Sequence, residues 1–197
     1  MNLPNKLTVT RVLLVPLLVL IYMFPYEILN IKVPVFEILN TNIPLVNIIV
    51  LMIFTIASIT DYFDGKIARK EEMITTFGKF ADPIADKLLV NTILLLLANN
   101  QDITIIIPII MIARDTIVDA IRLIGASNQN VIAASQLGKM KTVSQMVAII
   151  LLLLCNFPFS YVGIPMDQIA IWIAALISVI SGIDYFLKNK SMLTESM

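Results

Sequence analysis

Six apolar runs decide what this chain can become: residues 9–23, 45–60, 84–98, 103–124, 143–157 and 164–186 each approach the ~20 residues a helix needs to cross the hydrocarbon of a bilayer. Little is left over for a water-facing surface. Hydrophobic residues make up 58% of the sequence and charged ones 14%, against roughly 25% charged in soluble proteins. The expected fold is therefore all-α, a polytopic membrane protein of six transmembrane helices forming a single domain over residues 1–197. Prolines inside some runs are compatible with this, because neighbouring helices in a bundle can satisfy the backbone groups that a proline frees. The first run, with Lys6 before it, resembles a secretory leader. Arg11 interrupts it and no A-x-A-like cleavage site follows, so it is expected to be retained.

Basic residues are distributed unevenly about these runs. Lys6 and Arg11 precede or open the first; Lys66, Arg69, Lys70, Lys79 and Lys87 surround the second connection; Arg122, Lys139 and Lys141 surround the fourth; Lys188 and Lys190 follow the last run. The first connection holds only Lys32, and the third and fifth hold none. Lysine and arginine gather on the cytoplasmic side of membrane helices, so the alternation predicts cytoplasmic termini and a cytoplasmic second connection. The formal net charge of zero hides this asymmetry, which suits an anionic lipid surface and gives no reason to expect nucleic acid.

Histidine is absent, which removes imidazole bases, nucleophiles and metal ligands. The single cysteine, Cys155, cannot pair within the chain and reads as a small packed residue inside the fifth run. EILN-x-x-x-P occurs twice, ten residues apart, in the connection after the first run. That is a local duplication too short for a repeat architecture.

Residues 61–87, DYFDGKIARKEEMITTFGKFADPIADK, place four aspartates directly behind an apolar run. If the second helix continues through residue 69, Asp61 and Asp64 share a face with Ala68, and Gly65 lies close to it. Asp82 and Asp86 stand at i and i+4 at the start of the third run, with Gly78 one turn earlier. A glycine costs about 1 kcal/mol in a helix relative to alanine, and close approach of a ligand to the backbone is one reason to keep it. Two antiparallel helices would point both acidic faces into one cavity. Converging carboxylates raise each other's pKa unless cations compensate. Oxygen-only donors select hard ions such as Mg²⁺ or Mn²⁺, and this many acids suggests two ions roughly 3.5–4 Å apart that clamp phosphoryl oxygens. Arg69, about one turn past Gly65, would neutralise a second phosphate. Singly, the acids have plainer explanations: Asp61 and Asp64 as the exit of a span, Asp82 as an N-cap before Pro83. Those explanations leave the accompanying glycines, Ala68 and Arg69 without a reason.

The spacing D-x-x-D-G-x-x-A-R-x₈-G-x-x-x-D-x-x-x-D, eight fixed residues across 26 positions, matches the signature of the CDP-alcohol phosphatidyltransferase family without departure. The resemblance implies a six-helix enzyme, usually a homodimer, with a cytoplasm-facing active-site cavity in a bacterial cell membrane. It would transfer a phosphatidyl group from CDP-diacylglycerol to an alcohol and release CMP. By the family pattern Asp61, Asp64 and Asp82 are metal ligands, Asp86 joins them and serves as the base, and Gly65, Ala68, Arg69 and Gly78 line the CDP site.

The opening NLPNKLTVTR resembles the N-x-x-T-x-x-R start of the bacterial phosphatidylglycerophosphate synthases, a branch of that family. Asn5 and Thr8 become candidates for nucleotide contacts on that resemblance, and Thr75 a weaker one; read alone, Asn5 and Thr8 are helix caps. The fourth run carries Arg114, Asp115, Asp119 and Arg122, more charge than lipid exposure permits. An internal salt-bridge ladder would explain the acids and leave the outer arginine less accounted for. In ASQLGKMKT, Lys139 and Lys141 follow Ser135 and Gly138. Lysines at a boundary usually set topology. Together Arg122, Lys139 and Lys141, with Arg114 deeper, make a cationic pocket for an acceptor that already bears a phosphate. Glycerol 3-phosphate is the expected acceptor and inositol phosphate the nearest rival; R-x₇-R, G-K-x-K-T and SGIDYF resemble the same branch. From another class, a divalent-cation transporter would place its acids near mid-membrane, whereas these sit at helix ends.

Overall fold

The computed structural model of the chain describes residues 3–39, 41–70, 76–127, 132 and 135–195, with side chains described there except at 3–6, 61–70, 76–83, 86, 127 and 191–195. Six α-helices account for most of the described residues: α1 Leu3–Tyr22, α2 Leu45–Lys70, α3 Thr76–Asn99, α4 Ile106–Ser127, α5 Gln136–Leu153 and α6 Met166–Glu195. Long apolar runs become helices because a helix satisfies its own backbone without help from water. In α1, Pro4 falls in the first turn, where its missing N–H costs nothing, and the helix continues through Pro16.

Two features depart from an all-helical reading. A short antiparallel hairpin, β1 Val35–Ile38 and β2 Thr41–Pro44, pairs Val35 with Pro44 and Ile38 with Thr41. It lies in the duplicated connection, and only the second EILN enters it; residues 26–30, which contain the first, form a turn. Cys155 is the second departure. It lies beyond α5, which ends at Leu153, and Cys155 and Asn156 adopt positive φ of 52° and 64°. The Asn156 N–H closes back on the Leu151 carbonyl at 2.9 Å, a left-handed helix stop that asparagine tolerates well. The same Asn156 caps α6: its Oδ1 accepts from the Asp167 N–H at 3.1 Å.

Helix packing divides into two triplets. α1 packs on α2 and α3, whereas α6 packs on α4 and α5; α2 and α3 reach across to α5, and α3 to α4. One core runs through both, with Leu18, Phe54, Ile93, Leu97, Ile107, Met111, Ile149 and Ile171 buried in it. Large apolar side chains also cover the outside: Leu13, Leu20, Ile56, Leu123, Val143 and Leu176 are each at least 60% exposed. Among the described residues Met166–Lys190 is the one helix long and apolar enough to cross a membrane by length and composition, and Leu7–Tyr22, Leu45–Thr60 and Lys87–Asn99 are shorter apolar helices.

Candidate functional site

Helix extents settle where the four aspartates stand along the chain. α2 runs unbroken to Lys70, so Asp61 and Asp64 lie one turn apart within a helix. α3 starts at Thr76, so Asp82 is interior to it and Pro83 is not a first helical residue; the N-cap explanation of Asp82 fails. Asp86 follows one turn later, with Gly78 one turn ahead of Asp82. Gly65, Ala68 and Arg69 belong to the last turns of α2, and α2 and α3 contact each other. The side chains of Asn5, Asp61, Asp64, Ala68, Arg69, Asp82 and Asp86 lie outside the described residues, as does the whole of Thr75. Among the described residues no three acidic or cysteine side chains gather to hold a metal. The chemistry of the donor set, four aspartates on two contacting helices, fits a hard divalent cation.

A basic cavity of about 360 Å³ opens where the two helix triplets meet. Arg114 and Arg122 from α4 and Lys139 and Lys141 from α5 all line it, as the sequence suggested, and Lys87 from α3 joins them. Its walls continue into both acid-bearing helices. Ala57 and Ser58 lie one turn before Asp61 on α2, and Lys87 and Val90 fall within the turn after Asp86 on α3.

Charge within the cavity is partly cancelled. Lys141, 5% exposed, donates to Asp115 Oδ2 at 2.7 Å, and Arg114 Nη1 donates to Asp115 Oδ1 at 3.0 Å. Burial pushes the Lys141 ammonium below its ordinary range, with Asp115 opposing that shift. Lys87 pairs with Asp119. The acids of α4 thus bind cations from α3 and α5, which bears out the salt-bridge ladder as their explanation. The outer arginine has a different partner: Arg122 Nε donates to the Tyr185 hydroxyl at 3.0 Å, and the guanidinium lies 5.5 Å from that ring's centroid. Among the described residues neither Arg122 nor Lys139 meets a carboxylate. These two are the cavity's cations without a carboxylate partner among the described residues.

Close packing holds Arg114 in place. Its Nη2 donates to Ser181 Oγ at 2.5 Å, and a Cβ added at Gly182 would come within 2.9 Å of Arg114 Cγ. At Gly138 an added Cβ would stand 3.2 Å from Ser135 Oγ, the atom that caps α5 by accepting from the Gly138 N–H. Thr8 and Arg11 are buried in α1, at 1% and 2% exposed.

Sequence reasoning passed over Lys87 as merely topogenic, and missed Asn91, Gln145, Ser181, Gly182 and Tyr185 as parts or supports of the cavity. A usable signal existed for the amides. Asn91 and Gln145 are polar residues inside apolar runs, each four positions after a lysine that lines the same cavity.

Residues 1–180 match the family model described as CDP-alcohol phosphatidyltransferase. The CDP-diacylglycerol–glycerol-3-phosphate 3-phosphatidyltransferase of Bacillus subtilis (strain 168) is 40% identical over 195 residues, covering 99% of this chain and 98% of that one. The protein of the same name from Rickettsia bellii is 35% identical over 94% of this chain and 93% of its own. That from Haemophilus influenzae is 35% identical over 100% of this chain and 97% of its own.

Proposed function

The chain belongs to the CDP-alcohol phosphatidyltransferase family, and from that premise we propose that it transfers the phosphatidyl group of CDP-diacylglycerol to glycerol 3-phosphate, giving phosphatidylglycerophosphate and CMP. The observation that carries the acceptor is the basic cavity. Arg122 and Lys139 line it without a carboxylate partner among the described residues, and two unneutralised cations suit the near-dianionic phosphate of the acceptor. Choline or free glycerol, which carry no anionic group, would leave that charge unused. Full-length similarity to relatives named for the same reaction supports the assignment.

Asp61, Asp64, Asp82 and Asp86 would hold Mg²⁺ or Mn²⁺, as two ions; the family generally depends on a divalent metal. When bound, the metal supplies charge neutralisation for the diphosphate of the CDP-lipid and its leaving group. Gly65, Ala68, Arg69 and Gly78, with Asn5, Thr8 and Thr75, would form the CDP-lipid site. Arg114, Arg122, Lys139 and Lys141 hold the acceptor's phosphate, which orients its primary hydroxyl. The Asp86 carboxylate takes the hydroxyl proton. The freed oxygen forms a bond to the β-phosphorus as the bond from that phosphorus to CMP breaks, so no covalent enzyme intermediate is required.

The exposed apolar side chains of the helices support insertion in a bacterial cell membrane, with six spans and both termini cytoplasmic. In that setting CDP-diacylglycerol reaches the site laterally from the inner leaflet, and the working form is a homodimer. The deciding experiment supplies purified protein with CDP-diacylglycerol, Mg²⁺ and one acceptor at a time. CMP release with glycerol 3-phosphate, and not with inositol phosphate, serine or glycerol, is the expected result. Release with another acceptor alone would overturn the assignment, and cation flux into liposomes without any CMP would favour a transporter.

A further inference from the structure

Two amides line the basic cavity, each with one polar atom left unpaired among the described residues. Asn91 stands on α3 one turn beyond Lys87, and Gln145 on α5 one turn beyond Lys141, and both line the cavity. Among the described residues Asn91 Oδ1 and Gln145 Nε2 are buried without a hydrogen-bond partner, and Gln145 as a whole is 3% exposed. Leaving a buried donor or acceptor unsatisfied is costly, so such atoms are few and call for an explanation. Here one atom is an acceptor and the other a donor. Both belong to residues that line a cavity whose cations are suited to a phosphate.

Resting on the acceptor assignment above, we infer that Asn91 and Gln145 select the acceptor by its secondary hydroxyl. Gln145 Nε2–H donates to the hydroxyl oxygen, and the hydroxyl proton is donated to Asn91 Oδ1. A hydroxyl is the simple group that answers both atoms at once, being donor and acceptor together. On glycerol 3-phosphate the phosphate is taken by the cations and the primary hydroxyl reacts, which leaves the secondary hydroxyl for the amides. A ketone at the same carbon would satisfy Gln145 only, and a methylene neither. The pair would therefore separate glycerol 3-phosphate from dihydroxyacetone phosphate and from 3-hydroxypropyl phosphate, molecules that share its phosphate and its primary hydroxyl.

The test compares kcat/KM for these acceptors, by CMP release, with the full-length protein, CDP-diacylglycerol and Mg²⁺. Wild type is expected to use both analogues at least about tenfold less efficiently than glycerol 3-phosphate. Gln145→Met and Asn91→Leu are expected to lower efficiency with glycerol 3-phosphate about tenfold and to leave 3-hydroxypropyl phosphate nearly unchanged, collapsing the discrimination. A merely structural role would depress all acceptors alike and would overturn the inference. Equal use of glycerol 3-phosphate and 3-hydroxypropyl phosphate by the wild type would overturn it too, whether or not the variants fold. Absence of CMP release with glycerol 3-phosphate, while another acceptor supports it, would instead bring down the acceptor assignment, and the inference with it.

Discussion

The two ends of the helix bundle are both polar, but their polar groups are satisfied in different ways. At the hairpin end the groups answer one another. The Tyr22 hydroxyl donates to Asp102 at 3.3 Å, Gln168 Nε2 donates to the Asp102 carbonyl at 2.8 Å, and Asn156 Nδ2 donates to the Ile164 carbonyl at 2.7 Å. Thr41 pairs with Ser160, and Asn47 Nδ2 reaches Cys155 Sγ at 3.6 Å. At the cavity end, charge replaces neutral pairing, and one buried atom each of Asn91, Arg114 and Gln145 has no partner among the described residues. A satisfied network rigidifies, whereas an unsatisfied one is tolerated where a ligand completes it. Completeness of pairing, more than polarity, separates the brace from the binding site.

Substitutions can break or sharpen that contrast. The largest effect belongs to the cavity end: Asp86→Asn should lower the rate of CMP release by at least about 100-fold while sparing much of the affinity for CDP-diacylglycerol. Turnover at the wild-type rate would remove Asp86 as the base. Asp115→Ala should come next. It strands Lys141 and Arg114 in a buried setting, and thermal or denaturant unfolding should register a loss of about 3 kcal/mol. Lys139→Ala should raise KM for the acceptor about tenfold with little change in KM for the CDP-lipid; an effect confined to the lipid would contradict the cavity's role. At the hairpin end Asn156→Ala should cost about 1 kcal/mol of stability through the lost cap of α6, with acceptor KM unmoved. A kinetic defect there would blur the distinction between the two ends. Gly182→Ala should cost a similar ~1 kcal/mol or more of stability, because the added methyl would stand 2.9 Å from Cγ of an Arg114 side chain already held by Asp115 and Ser181.

The helices were legible because apolar length is a property of each segment alone. Runs around residues 45–60 and 84–98 reappear inside α2 and α3, and α2 continues past Asp64 to Lys70, as the shared-face reading of its acids supposed. The hairpin was not legible. The first EILN lies wholly in a turn whereas Glu37 and Ile38 of the second are in β1, so the choice lies in what surrounds them, such as the Thr41–Ser160 pair that holds β2. The cations of the cavity could be grouped from the sequence because like charges are rare in apolar surroundings. Their pairing could not: Asp115 and Asp119 share a face one turn apart on α4, and which of them Lys141 meets depends on how α4 and α5 are set along their axes, which no spacing encodes. Tyr185, far along the chain from Arg122, escaped notice for the same reason.

The cavity lies on the line where the two helix triplets join. An occupant held by Lys87 on one side and by Arg122 and Lys139 on the other would act as a rivet across that join, so that filling the site and holding the molecule together become a single event. Emptied and warmed, or wedged by a harsh detergent, the protein would be expected to part there first, falling silent as a catalyst while its helices were still wound.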